Sequence, residues 1–163
     1  MKKLLRSIKG FTLSELLAAI AFLSLLSLVL AAGIPAAIRA KRQAVSSSEA
    51  QLLCSSLSSA VAEELRYATA PTNDSAGSAV FDSLSYGRAV SVSTAEINGK
   101  SIVTIGGYPV LGEKAYTGDL EAEISVVYDN AGCFVMNISI LDSSGHVWAS
   151  SEQYVSALNS SLS

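Results

Sequence analysis

The chain has 163 residues, half of them apolar, with eleven cations against fourteen acids. That length suits one folded domain plus a membrane segment. Four of the cations (Lys2, Lys3, Arg6 and Lys9) precede Gly10, so residues 11–163 hold seven cations against fourteen acids, a net charge of −7. Such an acidic surplus repels phosphate backbones and disfavours nonspecific nucleic-acid binding by the domain.

The first element is a short basic leader ending in Lys9-Gly10-Phe11-Thr12-Leu13-Ser14-Glu15. From Leu16 to Ile38 no residue is charged, which is long enough to cross a bilayer, since a span needs about 20 apolar residues. Glu15 stands just inside this apolar stretch. A carboxylate there is costly to insert and is by default a functional group that needs a partner. A secretory signal peptide has a shorter apolar core and a small-residue cleavage site. Here the run is longer, opens with a carboxylate, and has only indifferent sites near Ala31-Ala32-Gly33. No cysteine near its end suggests a lipoprotein signal, and an ordinary single-pass anchor leaves Glu15 unexplained. Arg39, Lys41 and Arg42 follow the span and nearly balance the leader, so charge bias alone leaves the orientation close to a tie.

At Lys9 to about Leu30 the sequence resembles the type IV pilin family, including the pseudopilins of type II secretion and the competence pilins. The resemblance rests on leader charge, Gly10, Phe11, Glu15 and the apolar length together. It implies cleavage by a prepilin peptidase between Gly10 and Phe11, N-methylation of Phe11, and assembly of a helical filament through Phe11 and Glu15. It further implies a structural subunit and not an enzyme; the residues themselves lead us to expect no cofactor and no metal. The implied partners are the prepilin peptidase, other pilin subunits in a homo- or hetero-oligomeric filament, the membrane, and an assembly platform with its ATPase. The implied location is the cytoplasmic membrane, single-pass with the C-terminal domain outside, and then an extracellular or periplasmic filament. Within the family, a minor pilin or pseudopilin of a secretion or competence system is the alternative role. From a different class, the alternative is a membrane-tethered extracytoplasmic binding domain that does not polymerise. No direct nucleic-acid binding is expected of the mature domain.

The expected fold is α+β: a long N-terminal helix packed on an antiparallel sheet of three to five strands. The organisation reads as leader 1–10, membrane or filament-core helix 11–38, amphipathic half of the same helix 39–69, and a β-rich domain 70–163. The helix is expected to run to about Ala68, with Gly33 and Pro35 interrupting it, because proline in a helix interior removes a hydrogen bond and favours a kink. In its second half Ala50, Leu53, Cys54, Leu57, Val61, Leu65 and Ala68 form one stripe at helical spacing, read as a core-facing surface. Ser58 is placed among the polar faces. Val45 and Leu52 lie opposite the stripe, where neighbouring subunits would meet them.

Ala70-Pro71-Thr72-Asn73-Asp74 is turn chemistry that ends the helix. The stretch to Gly87 is expected to be a loop with at most one short element. Asn98-Gly99 between β-prone runs predicts a hairpin. Leu120, Ala122, Ile124, Val126 and Tyr128 alternate with Glu121, Glu123 and Ser125 as a half-buried strand. A second strand shows Phe134, Met136, Ile138 and Ile140 on one face. The turn Asp142-Ser143-Ser144-Gly145 leads into a third, from His146 to about Val155. These three form an antiparallel meander whose apolar face the helix covers. Asn159 to Ser163 reads as a frayed tail.

Cys54 and Cys133 are the only cysteines. In an exported domain they suggest a disulfide closing a loop of about 79 residues. Cys54 lies on the buried stripe, but strand alternation points Cys133 away from the helix, and two free thiols fit as well. His146 with Asp142 and Ser143 is explained by turn chemistry better than by a catalytic triad. One histidine gives no zinc spacing. Asp119, Glu121 and Glu123 are exposed strand positions with no calcium-loop spacing. Asn73, Asn137 and Asn159 each begin an N-glycosylation pattern, too short to carry weight.

Overall fold

In the computed structural model, residues 12–129 and 132–158 are described. Helix α1 spans Leu13–Arg66. The chain divides into two compact units between Gln43 and Ala44.

In the first unit every described residue is exposed. The helix is continuous through Gly33 and Pro35, so the expected interruption does not occur. Pro35 costs one backbone donor without ending the helix. By length and composition this helix can cross a bilayer. Both serines of the uncharged stretch from Leu16 to Ile38 bond back to the helix: Ser24 Oγ donates to the Ile20 carbonyl at 2.6 Å and Ser27 Oγ to the Leu23 carbonyl at 2.8 Å. In a hydrocarbon medium such back-bonding satisfies donors that would otherwise be costly.

The second unit is α+β. Helix residues Ala50, Leu53, Cys54, Leu57, Val61 and Leu65 are buried at the spacing of one face, and Ala68 is buried just after the helix. Ser58 is buried too, a correction to its polar-face placement. It lies one turn after Cys54 and one before Ala62, inside the apolar arc.

Two antiparallel sheets supply the rest of the core. The first has the order β1-β2-β3-β4-β5, with β1 at Thr69–Asn73, β2 at Ala79–Ser83, β3 at Gly87–Ile97, β4 at Lys100–Ile105 and β5 at Tyr108–Pro109. The second is the meander β6-β7-β8, at Leu120–Tyr128, Cys133–Asp142 and Val147–Ser156. The β3–β4 hairpin turns at Asn98 and Gly99, both with positive φ, as a two-residue turn of that type requires. In β7, Phe134, Met136, Ile138 and Ile140 are all buried, matching the period-2 reading.

The expected loop before Gly87 is replaced by β1 and β2. Strand β1 pairs with β2 alone and slips register between Thr69 and Thr72, which accommodates Pro71, a residue without a backbone donor that suits an edge. Phe81 of β2 is buried and meets Phe134 edge-on at 5.8 Å. That aromatic contact compensates for a composition poor in strand formers.

The sheets are linked across their edges by side chains. The Asn73 carboxamide donates to the Tyr128 carbonyl at 2.6 Å and accepts from the Tyr128 N–H at 2.9 Å. It thereby makes the two bonds that a paired residue would make. Thr94 Oγ1 accepts from the Ile124 N–H at 3.3 Å. Buried Tyr116 uses its hydroxyl to accept from the Val103 N–H at 3.0 Å. Lys100 Nζ donates to the carbonyls of Tyr116 and Gly118, pinning the segment that crosses between the sheets.

Candidate functional site

Thr12-Leu13-Ser14-Glu15 has the spacing of a capping box, in which the cap residue and the third helical residue exchange hydrogen bonds. The geometry follows that pattern. Thr12 N–H donates to Glu15 Oε2 at 2.9 Å, and the Glu15 N–H donates to Thr12 Oγ1 at 3.3 Å. The Thr12 hydroxyl also lies 3.0 Å from Glu15 Oε2 as donor. The carboxylate therefore sits in the first turn, where an anion favours the helix dipole, and it holds two donors. The signal for this role is the T-x-x-E spacing of Thr12 and Glu15. Gly10 and Phe11, expected at the cleavage and methylation point, lie outside the described residues.

Charge is distributed unevenly around this site. Between Glu15 and Glu49 the only charged residues are Arg39, Lys41 and Arg42, all exposed. Residues 44–163 carry thirteen acids against four cations. Along the sequence, an apolar stretch thus opens with one carboxylate and ends in a basic cluster, and the residues after it are acidic.

The other candidate residues do not converge. Cys54 and Cys133 are both free. Cys54 is buried on the helix, and burial pushes its thiol above the ordinary value while the Ser58 hydroxyl beside it partly offsets that. Cys133 pairs in register with Ser156 on β8, with Sγ and the Ser156 Oγ 3.4 Å apart. Regular alternation sets it on the sheet face opposite Phe134, so no bulge turns it toward the helix. The disulfide alternative is not realised.

Asp142 is a turn hub rather than a triad member. Its Oδ1 accepts from the Ser144 and His146 N–H groups at 2.9 and 3.1 Å, and its Oδ2 accepts from Trp148 Nε1 at 2.9 Å. The Ser144 hydroxyl and the Trp148 indole, with smaller help from the two backbone groups, hold the carboxyl at about 2. The bond to His146 uses its backbone, and the imidazole packs edge-on against Trp148 at 4.8 Å. Among the described residues no group of three or more His, Cys, Asp and Glu side chains is placed to hold a metal. Asp119, Glu121 and Glu123 accordingly remain separate surface acids. No family model, curated protein or solved structure matches the chain.

Proposed function

We propose that this protein is a structural subunit of a type IV pilus-like filament, stored in the membrane through residues 11–38 and assembled through that helix. It is a substrate of a prepilin peptidase and not an enzyme. Its partners are like subunits, the membrane, and the platform and ATPase that extract it. The observation that carries this reading is the placement of Glu15 in the first turn of a 54-residue helix, where the residues that follow are apolar and exposed. A helix apolar on all sides is made to be buried, either in lipid or among its own kind.

The capping box supports a two-stage role for Glu15. In the stored subunit, Thr12 satisfies the carboxylate locally and lowers the cost of keeping it at membrane depth. On assembly, cleavage before Phe11 provides a positive amine, and opposite charges in an apolar shaft compensate one another only at one axial offset. The pair then acts as a register mark more than as a source of net stability.

The test is Glu15→Leu in a strain lacking the wild-type copy. The variant inserts at least as well as wild type, because the burial cost is gone. It is processed, accumulates in membranes and gives few or no sheared filaments. Wild-type filament yield from Glu15→Leu would overturn the register role and favour a tethered domain that does not polymerise.

A further inference from the structure

The cations at the end of the apolar stretch take no part in the site around Glu15. Arg39, Lys41 and Arg42 are exposed and are the only charged residues between Glu15 and Glu49. Side chains on a helix pair with neighbours three and four positions away, and residues 35–46, which cover that reach for all three, contain no acid. The next acid after them is Glu49, seven positions beyond Arg42. No carboxylate at helical pairing distance in sequence therefore neutralises this cluster.

Its depth is set by the stretch that precedes it. Residues 16–38 carry no charge, and at a rise of 1.5 Å per residue they extend about 35 Å, slightly more than a hydrocarbon core of about 30 Å. A helix that places this stretch in a bilayer brings Arg39, Lys41 and Arg42 to the layer of lipid phosphates. Tilt takes up the small excess in length, and the long cationic side chains reach the interface. At 3.6 residues per turn the three leave the axis within an arc of about 160°, so their charge is concentrated on one side of the helix.

Two kinds of anion could meet such a cluster, a lipid phosphate or a protein carboxylate. A second copy stored in the same bilayer brings the same cations to the same depth, so it repels the cluster instead of neutralising it. Phosphates already occupy that depth, and each Lys or Arg near an anionic leaflet adds to an attraction that salt screens.

We propose that Arg39, Lys41 and Arg42 bind the phosphates of anionic phospholipids and gather such lipids around the end of the span. This rests on the reading of residues 11–38 as a membrane anchor, and adds to it the class of lipid that the stored subunit selects.

The experiment uses the full chain carrying Cys133→Ser and Ala37→Cys, labelled with a small fluorophore at position 37 while buried Cys54 stays unreactive. The protein is reconstituted in phosphatidylcholine vesicles containing a small fraction of either phosphatidylglycerol or phosphatidylcholine with a nitroxide near the headgroup. The label is at the far end of the span from the leader cations, so it reports the 39–42 end. The expected result is quenching by the labelled phosphatidylglycerol about threefold or more above that by the labelled phosphatidylcholine. High salt, and Arg39→Gln, Lys41→Gln and Arg42→Gln together, bring the two to parity without changing quenching by phosphatidylcholine. Equal quenching of the unsubstituted cluster by both lipids leaves the anchor in place and overturns the lipid contact. A preference that survives the three glutamines belongs to other groups and also overturns it. No quenching by either lipid overturns the anchor reading together with the contact. Equal quenching in vesicles, with filaments lost in cells expressing only the three-glutamine chain, assigns the cluster to a protein partner and overturns the lipid assignment.

Discussion

Glu15 and Thr12 cap each other: the Glu15 carboxylate accepts from the Thr12 N–H at 2.9 Å, and the Thr12 hydroxyl accepts from the Glu15 N–H at 3.3 Å. Beside this local cap, the proposed function gives the same side chain a second role, a charge offered to a neighbouring subunit. They can be separated because glutamine at the same position still completes a capping box but carries no charge. Glu15→Gln should keep the first turn helical, with slow amide exchange at residues 15 and 16 in micelles, and should nevertheless fail to give filaments. Thr12→Val should do the reverse at the helix end, loosening the first turn by about 0.5–2 kcal/mol as cap losses do. Normal filament yield from Glu15→Gln would reduce Glu15 to a cap.

The β7–β8 turn gives a pH-dependent prediction. Asp142 is held at about 2 against an ordinary value of 3.8. A lowered folded-state value means that its contribution to stability is complete above 3.8 and is lost as pH falls through about 2. Trp148 is the only tryptophan and donates to this carboxylate, so its emission reports the event. A titration of Trp148 emission should have its midpoint near 2, and Asp142→Asn should remove it. A midpoint near 3.8 would mean that the turn bonds are not held in solution.

The two thiols should behave differently. Half-buried Cys133 should react with an alkylating reagent in the folded protein, whereas buried Cys54, with its thiol raised by burial, should react only after unfolding. Reduction should leave the intact mass unchanged. A gain of two hydrogens on reduction would show a Cys54–Cys133 bond, and would require β7 to turn Cys133 over.

Much of this architecture was legible in residue patterns. The helix stripe from Ala50 to Leu65 and the alternation through β6 and β7 carry strong periods, because each element buries a single face against one core. The Asn98-Gly99 turn was legible because few residues tolerate positive φ. What escaped was set by distant contacts. Strands β1 and β2 contain Pro71, Ala70, Ala79 and Ser83, and β2 is held by Phe81 against Phe134, 53 positions away in sequence. Asn73 read as a turn residue, yet its carboxamide serves as a strand partner for Tyr128. Ser58 read as polar, yet it falls within the buried arc. At the candidate site, the cost of a carboxylate in an apolar medium marks Glu15, and the three-residue spacing from Thr12 carries its capping geometry.

Processing as a prepilin would leave a mature chain with Phe11 at its terminus. The direct measurement is the intact mass and N-terminal fragment spectrum of the protein extracted from membranes of the native host. The expected result is loss of residues 1–10 and one added methyl group on the Phe11 amine. A chain that retains Met1 or the leader through Gly10, with no methylated Phe11, would contradict it.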